Sequence, residues 1–185
     1  MSKVAISGNA SGTGVFTIAS PNSNSDRTLT LPDATGTILT TATAGVPVNG
    51  PAFSAYQSSA QTLGSATLTK LQYQTEEFDT GNCFDSTTNY RFTPVVAGYY
   101  QVSAYFEVGV SPTGMFLALY KNGAAVKRGT NINSSFAFGV SLSALVYLNG
   151  STDYIEMYGF LGAGQLLAAS ASQNYFQAFL ARSAT

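Results

Sequence analysis

Gly98-Tyr99-Tyr100-Gln101-Val102-Ser103-Ala104-Tyr105-Phe106-Glu107-Val108-Gly109-Val110 is the stretch whose reading decides the fold. Tyr100, Val102, Ala104, Phe106 and Val108 share one face of an extended chain, while Tyr99, Gln101, Ser103, Tyr105 and Glu107 occupy the other. Side chains alternate along a strand, so this pattern predicts a long strand with one face in a core. Pro94, just upstream, ends the short strand expected over Tyr90 to Thr93, and Gly98 is read as a bend into the sheet.

The same alternation recurs on both sides, in runs cut by Gly, Pro, Asn and Asp, which is the signature of an all-β domain. Phe53 to Ser58 and Thr67 to Tyr73 read as two early strands. Met115 to Lys121 and Ala124 to Lys127 flank Asn122-Gly123, whose residues suit the two positive-φ positions of a type I′ hairpin. Asn149-Gly150 is read the same way, joining Leu142 to Leu148 with Thr152 to Phe160. Leu161 to Ser172 reads as a loop, and Tyr175 to Arg182 as the closing strand. Met115 to Tyr120 is apolar on both faces and Leu142 to Leu148 nearly so. A half-exposed strand alternates apolar with polar, so these two predict a second body against their outer faces.

Residues 1 to 50 differ. Val15-Phe16-Thr17-Ile18 and Thr28-Leu29-Thr30-Leu31 alternate around a Ser/Asn-rich turn, but large apolar residues are few. The alternation favours ordered strands over a disordered tail, and the lack of a core makes them dependent on other chains. The expected organisation is therefore a β-rich anchor segment over 1–50 and one domain over 51–185. Only 9% of the 185 residues are charged, about a third of the usual share, as suits a surface partly hidden in an oligomer.

Composition also excludes. The net charge is −1 and no Lys/Arg cluster exceeds Lys127-Arg128, so nucleic acid is not an expected partner. No apolar run reaches about 18 residues, so no transmembrane helix is expected, and no signal-peptide stretch opens the chain. With no histidine, the triads and zinc sites built on it are unavailable; with one cysteine, Cys83, there is no intrachain disulfide.

From Phe78 onward the chain resembles the globular head of the complement C-one-q family, within the tumour-necrosis-factor-like superfamily. The resemblance rests on Phe84, then Asn89-Tyr90-Arg91-Phe92-Thr93-Pro94 and Gly98-Tyr99-Tyr100. It continues with Leu119-Tyr120-Lys121-Asn122-Gly123, Asn149-Gly150-Ser151-Thr152-Asp153 and Tyr175-Phe176-Gln177-Ala178-Phe179-Leu180. It implies an antiparallel jelly-roll sandwich of about ten strands, assembled as a homotrimer. Phe92, Tyr100, Phe106 and Phe179 are the aromatics expected between its sheets. No collagen Gly-X-Y stalk precedes it. Instead, Gly14-Val15-Phe16-Thr17-Ile18, Arg27-Thr28-Leu29-Thr30-Leu31-Pro32-Asp33 and Gly36-Thr37-Ile38-Leu39 resemble a segment of phage tail-fibre and virion proteins.

The expected function is therefore that of a structural bacteriophage virion protein, made in the host cytoplasm and not an enzyme. Tail fibre, head fibre and capsid decoration all fit. Other virion proteins are the expected partners of residues 1–50. A dedicated receptor-binding protein for a host glycan or protein is the alternative. No catalytic, cofactor-binding or metal residue is assigned. Glu76, Glu77, Asp79 and Asp85, read as one acidic loop, have the oxygen ligands Ca²⁺ takes but no EF-hand spacing. Cys83 is read as a small buried hydrophobe. Lys127 and Arg128 are read as guards of a sheet edge, with contact to an anionic glycan as the functional alternative.

Overall fold

The computed structural model describes residues 50–184, apart from 111 and 134–138, and scattered positions between 11 and 28. The chain divides into two units, Met1–Thr37 and Ile38–Thr185. Phe16, Ile18, Leu29, Leu31 and Ile38, on which the expected anchor strands rest, lie outside the described residues. The remainder is all-β. It contains β1 (Ala52–Gln57), β2 (Gln61–Leu63), β3 (Thr67–Lys70), β4 (Thr75–Asp79), β5 (Phe84–Asp85), β6 (Arg91–Phe92) and β7 (Ala97–Glu107). There follow β8 (Met115–Lys121), β9 (Ala124–Ile132), β10 (Gly139–Asn149), β11 (Ile155–Leu161), β12 (Gln165–Leu167) and β13 (Ser170–Ser183).

Two five-stranded antiparallel sheets, β10-β7-β13-β1-β4 and β5-β6-β11-β8-β9, face each other as a jelly roll. A small pair, β12-β2, stands beside them. The long alternating stretch is β7, and Tyr100, Val102, Ala104, Phe106 and Val108 are all buried, as its period requires. Aromatic rings hold the sheets together. Phe53 of β1 stacks on Phe84 and Phe92 of the opposite sheet at 4.5 and 4.6 Å, with Phe176 edge-on at 4.9 Å. Tyr100 meets Phe92 at 5.5 Å, and its hydroxyl donates to the Val96 carbonyl.

Asn122 and Gly123 have φ of 52° and 80°, so the first Asn-Gly is the expected hairpin turn between β8 and β9. The second corrects the sequence reading. β10 pairs with β7 and β11 with β6 and β8, so Asn149-Gly150 crosses between the sheets. Only Gly150 has positive φ there; the Asn149 side-chain oxygen Oδ1 accepts the N–H groups of Ser151, Thr152 and Asp153 and shapes the crossing.

Four further expectations change. The stretch from Leu161 to Ser172 contains β12, and β13 begins at Ser170, earlier than expected. Gly98 is no bend: it lies inside β7, where a Cβ would meet the Arg182 carbonyl at 2.5 Å as the bulge between Leu180 and Arg182 passes. Phe176 takes the core place expected of Phe179, which points outward. Finally, the outer face of β8 is covered by its own chain. Phe116 and Ala118 are 8% and 4% exposed in the single chain, with Phe116 stacked on Phe160 at 4.7 Å and Tyr120 on Tyr158 at 4.1 Å.

Candidate assembly surface

The outward face of β10-β7-β13-β1-β4 is built from cross-strand rows set by register. Leu145, Gln101, Phe179 and Ala52 stand side by side across four strands. The next row reads Ser143, Ser103, Gln177, Ser54 and Phe78. Beyond it lies a tyrosine row, Tyr105, Tyr175 and Tyr56, the first two with ring centroids 6.1 Å apart. At the opposite end Tyr147 and Tyr99 pair at 5.5 Å. Phe78, Tyr99, Leu145, Tyr147 and Phe179 are all exposed, and Leu145 keeps 54% of its surface open.

Charge is confined to the margins of this face. Arg182 flanks Tyr99, and a hollow of about 450 Å³ lies between Tyr99, Leu145 and Arg182. Glu107 closes the tyrosine end, where it accepts the Tyr105 hydroxyl at 2.9 Å and the Gln173 amide at 2.8 Å. Burial, followed by the bond to Glu107, pushes the Tyr105 phenol above its ordinary pKa. Glu77 sits on edge strand β4 and accepts the Ser54 hydroxyl at 2.7 Å. Tyr and Phe with few charges inside a polar rim is the composition of a protein–protein interface core, and is unlike a solvated sheet face. Of the two strands expected to meet a second body, only the β10 stretch Leu142 to Leu148 leaves large apolar side chains exposed, at Leu145 and Tyr147.

The expected acidic loop is not a loop. Glu76, Glu77 and Asp79 lie on β4 and Asp85 on β5, and each carboxylate is engaged locally. Asp79 accepts the Gly81 N–H at 3.2 Å and the Phe84 N–H at 2.7 Å, while Glu76 accepts the Ser86 hydroxyl. Asp85 accepts the N–H groups of Thr88, Thr87 and Asn89. The Thr88 bond, with help from Asn89 and Thr87, holds its carboxyl well below the usual range. Among the described residues no group of three or more His, Cys, Asp or Glu side chains is placed to hold a metal.

Asp153 plays a similar part on the sheet crossing, between Lys121 at 2.7 Å and the Asn122 amide at 2.7 Å, with Asn149 N–H at 3.0 Å. The Lys121 bond, then the Asn122 and Asn149 bonds, lower its pKa. Cys83 is buried against the Gly81 carbonyl, and burial raises its thiol pKa, which suppresses the reactive thiolate. Lys127 and Arg128 lie on β9, the edge strand of its sheet.

Neither a protein-family model nor a curated protein matches the sequence. Solved structures match the fold. Murine APRIL superposes with a TM-score of 0.56 at 10% identity, over 70% of this chain and 98% of its own. The Eiger TNF of S. frugiperda does so with a TM-score of 0.55 at 10% identity, over 74% and 96%. The head is thus a tumour-necrosis-factor-like jelly roll, as the sequence resemblance implied.

Proposed function

We propose that this chain is a structural bacteriophage virion protein, a tail fibre, head fibre or capsid decoration, whose jelly-roll head forms a homotrimer and aids host attachment. The observation that carries the assembly is the uncharged face around Leu145, Tyr99, Tyr147 and Phe179, which is exposed in a single chain. Exposed contiguous apolar surface of this kind marks an interaction site, and burial against copies of itself removes it from water. The number three comes from the complement-type resemblance. The virion comes from the N-terminal segment, whose motifs resemble those of tail-fibre proteins, and that segment attaches the head to other virion proteins. The reading has no catalytic step, no cofactor and no nucleic-acid partner.

Light scattering on the purified protein tests the assembly: three chains of 19.3 kDa give about 58 kDa. A mass near 19.3 kDa at micromolar concentration overturns it. Immunogold labelling of purified particles tests the location, and unlabelled particles overturn that part.

A further inference from the structure

Arg128 does not behave as an edge guard. A cation that protects a sheet edge extends into water, whereas the Arg128 guanidinium lies flat on Phe116, 3.4 Å from the ring centroid. Phe116 is itself fixed by its stack on Phe160. Stacking holds the guanidinium plane in place and leaves its edge N–H donors free, the geometry that grips a planar carboxylate or a phosphate in two places. Lys127 precedes Arg128 on β9 and pairs with core-facing Leu119, so its side chain leaves from the other face of the strand. The ion pairs among the described residues are Lys70–Glu156 and Lys121–Asp153, so neither Lys127 nor Arg128 has an acidic partner there.

Both residues border a groove of about 340 Å³ with apolar walls from Leu68, Ala125 and Val126. Among the described residues no acidic side chain lines it. Leu68 and Val126 are exposed. The groove lies on the sheet that does not carry the assembly face. Its volume suits one or two sugar rings. Sugars present apolar C–H faces, which Leu68 and Val126 match, and an acidic sugar adds the anion that Arg128 lacks.

The geometry points to this groove as a binding site for an anionic saccharide of the host surface, the acid gripped by Arg128 and the ring laid on Leu68 and Val126. This deepens the attachment role proposed above. The anion is a carboxylate or a phosphate, and the two sources are separated by the probes.

Saturation-transfer NMR on the full-length protein, with a glucuronate-containing tetrasaccharide, its carboxyl-reduced form, glucose 6-phosphate and tetraglutamate, tests it. Saturable binding of the glucuronate sugar or of the sugar phosphate is expected. Loss of one charge-assisted contact in Arg128→Gln should weaken it roughly tenfold or more. Arg91→Gln, which removes the guanidinium stacked on Tyr154 at 4.4 Å, should leave it unchanged. The proposal is overturned if neither anionic sugar binds at roughly 10 mM. It also falls if the reduced sugar binds equally well, if Arg128→Gln has no effect, or if tetraglutamate outcompetes both sugars. Light scattering on the same samples keeps the outcomes apart: a trimer that binds no sugar sinks the groove and leaves the assembly standing.

Discussion

Leu145→Asp separates an interface from a core on a single strand. Leu142 and Leu145 both belong to β10, but Leu142 is 3% exposed and points between the sheets, whereas Leu145 is 54% exposed and points away. In an isolated chain an aspartate at 145 stays in water and changes stability by about 0.5 kcal/mol or less. In a trimer that buries this face, the substitution removes half a leucine's burial, about 1 kcal/mol per subunit. It also strands an unpaired carboxylate, at about 3–5 kcal/mol per subunit. Three subunits together lose on the order of 10 kcal/mol or more, enough to dissociate a complex of ordinary affinity. Leu142→Asp places the same charge inside the sandwich and should unfold the chain. Light scattering and thermal melts read the two outcomes independently. Leu145→Asp should give a folded monomer and Leu142→Asp no cooperative transition. If Leu145→Asp stays trimeric with an unchanged melting temperature, this face is not the interface and the reasoning fails.

Other consequences follow from the turns, the carboxylates and the N-terminal segment. Gly123→Ala should cost about 1–2 kcal/mol from positive φ alone. Gly150→Ala should cost more in the same urea titration, because its Cβ would also meet the Ala97 nitrogen at 2.3 Å. Asp85 and Asp153 have folded pKa values below the ordinary 3.8. Their stabilisation is therefore complete above that value and lost as pH falls through the lower folded values. Melting temperature should hold between about pH 5 and 7 and fall below about pH 4, with Asp85→Asn flattening the acid limb. Deleting residues 1 to 45 should leave a cooperative trimer that no longer copurifies with particles; incorporation at normal copy number would move attachment to the head.

Local patterns were legible where one element decides the outcome. The alternation of β7 fixed its buried face, and Asn122-Gly123 fixed a turn, because each depends on a few neighbouring residues. Asn149-Gly150 misled because a hairpin also needs its flanking runs to pair, and β10 finds β7, far away in sequence, a better partner. Phe176 and Phe179 are three apart and must face opposite sides of β13, so the core could take only one. An aromatic is assigned inward by default, and Phe179 breaks that rule, standing exposed on the face proposed for assembly. Glu76, Glu77 and Asp79 suggested a loop by their charge, yet an edge strand such as β4 accommodates charge readily. The tyrosine and serine rows of the assembly face were hidden, since they emerge only once β10, β7, β13 and β1 are aligned.

Cryo-electron microscopy of intact particles tests the central claim most directly. The account predicts three-fold knobs on the virion, with the β10-β7-β13-β1-β4 sheets turned toward the axis and the groove beside Arg128 facing solvent. Single copies, or heads whose Tyr99, Leu145 and Phe179 face open solvent, would contradict it.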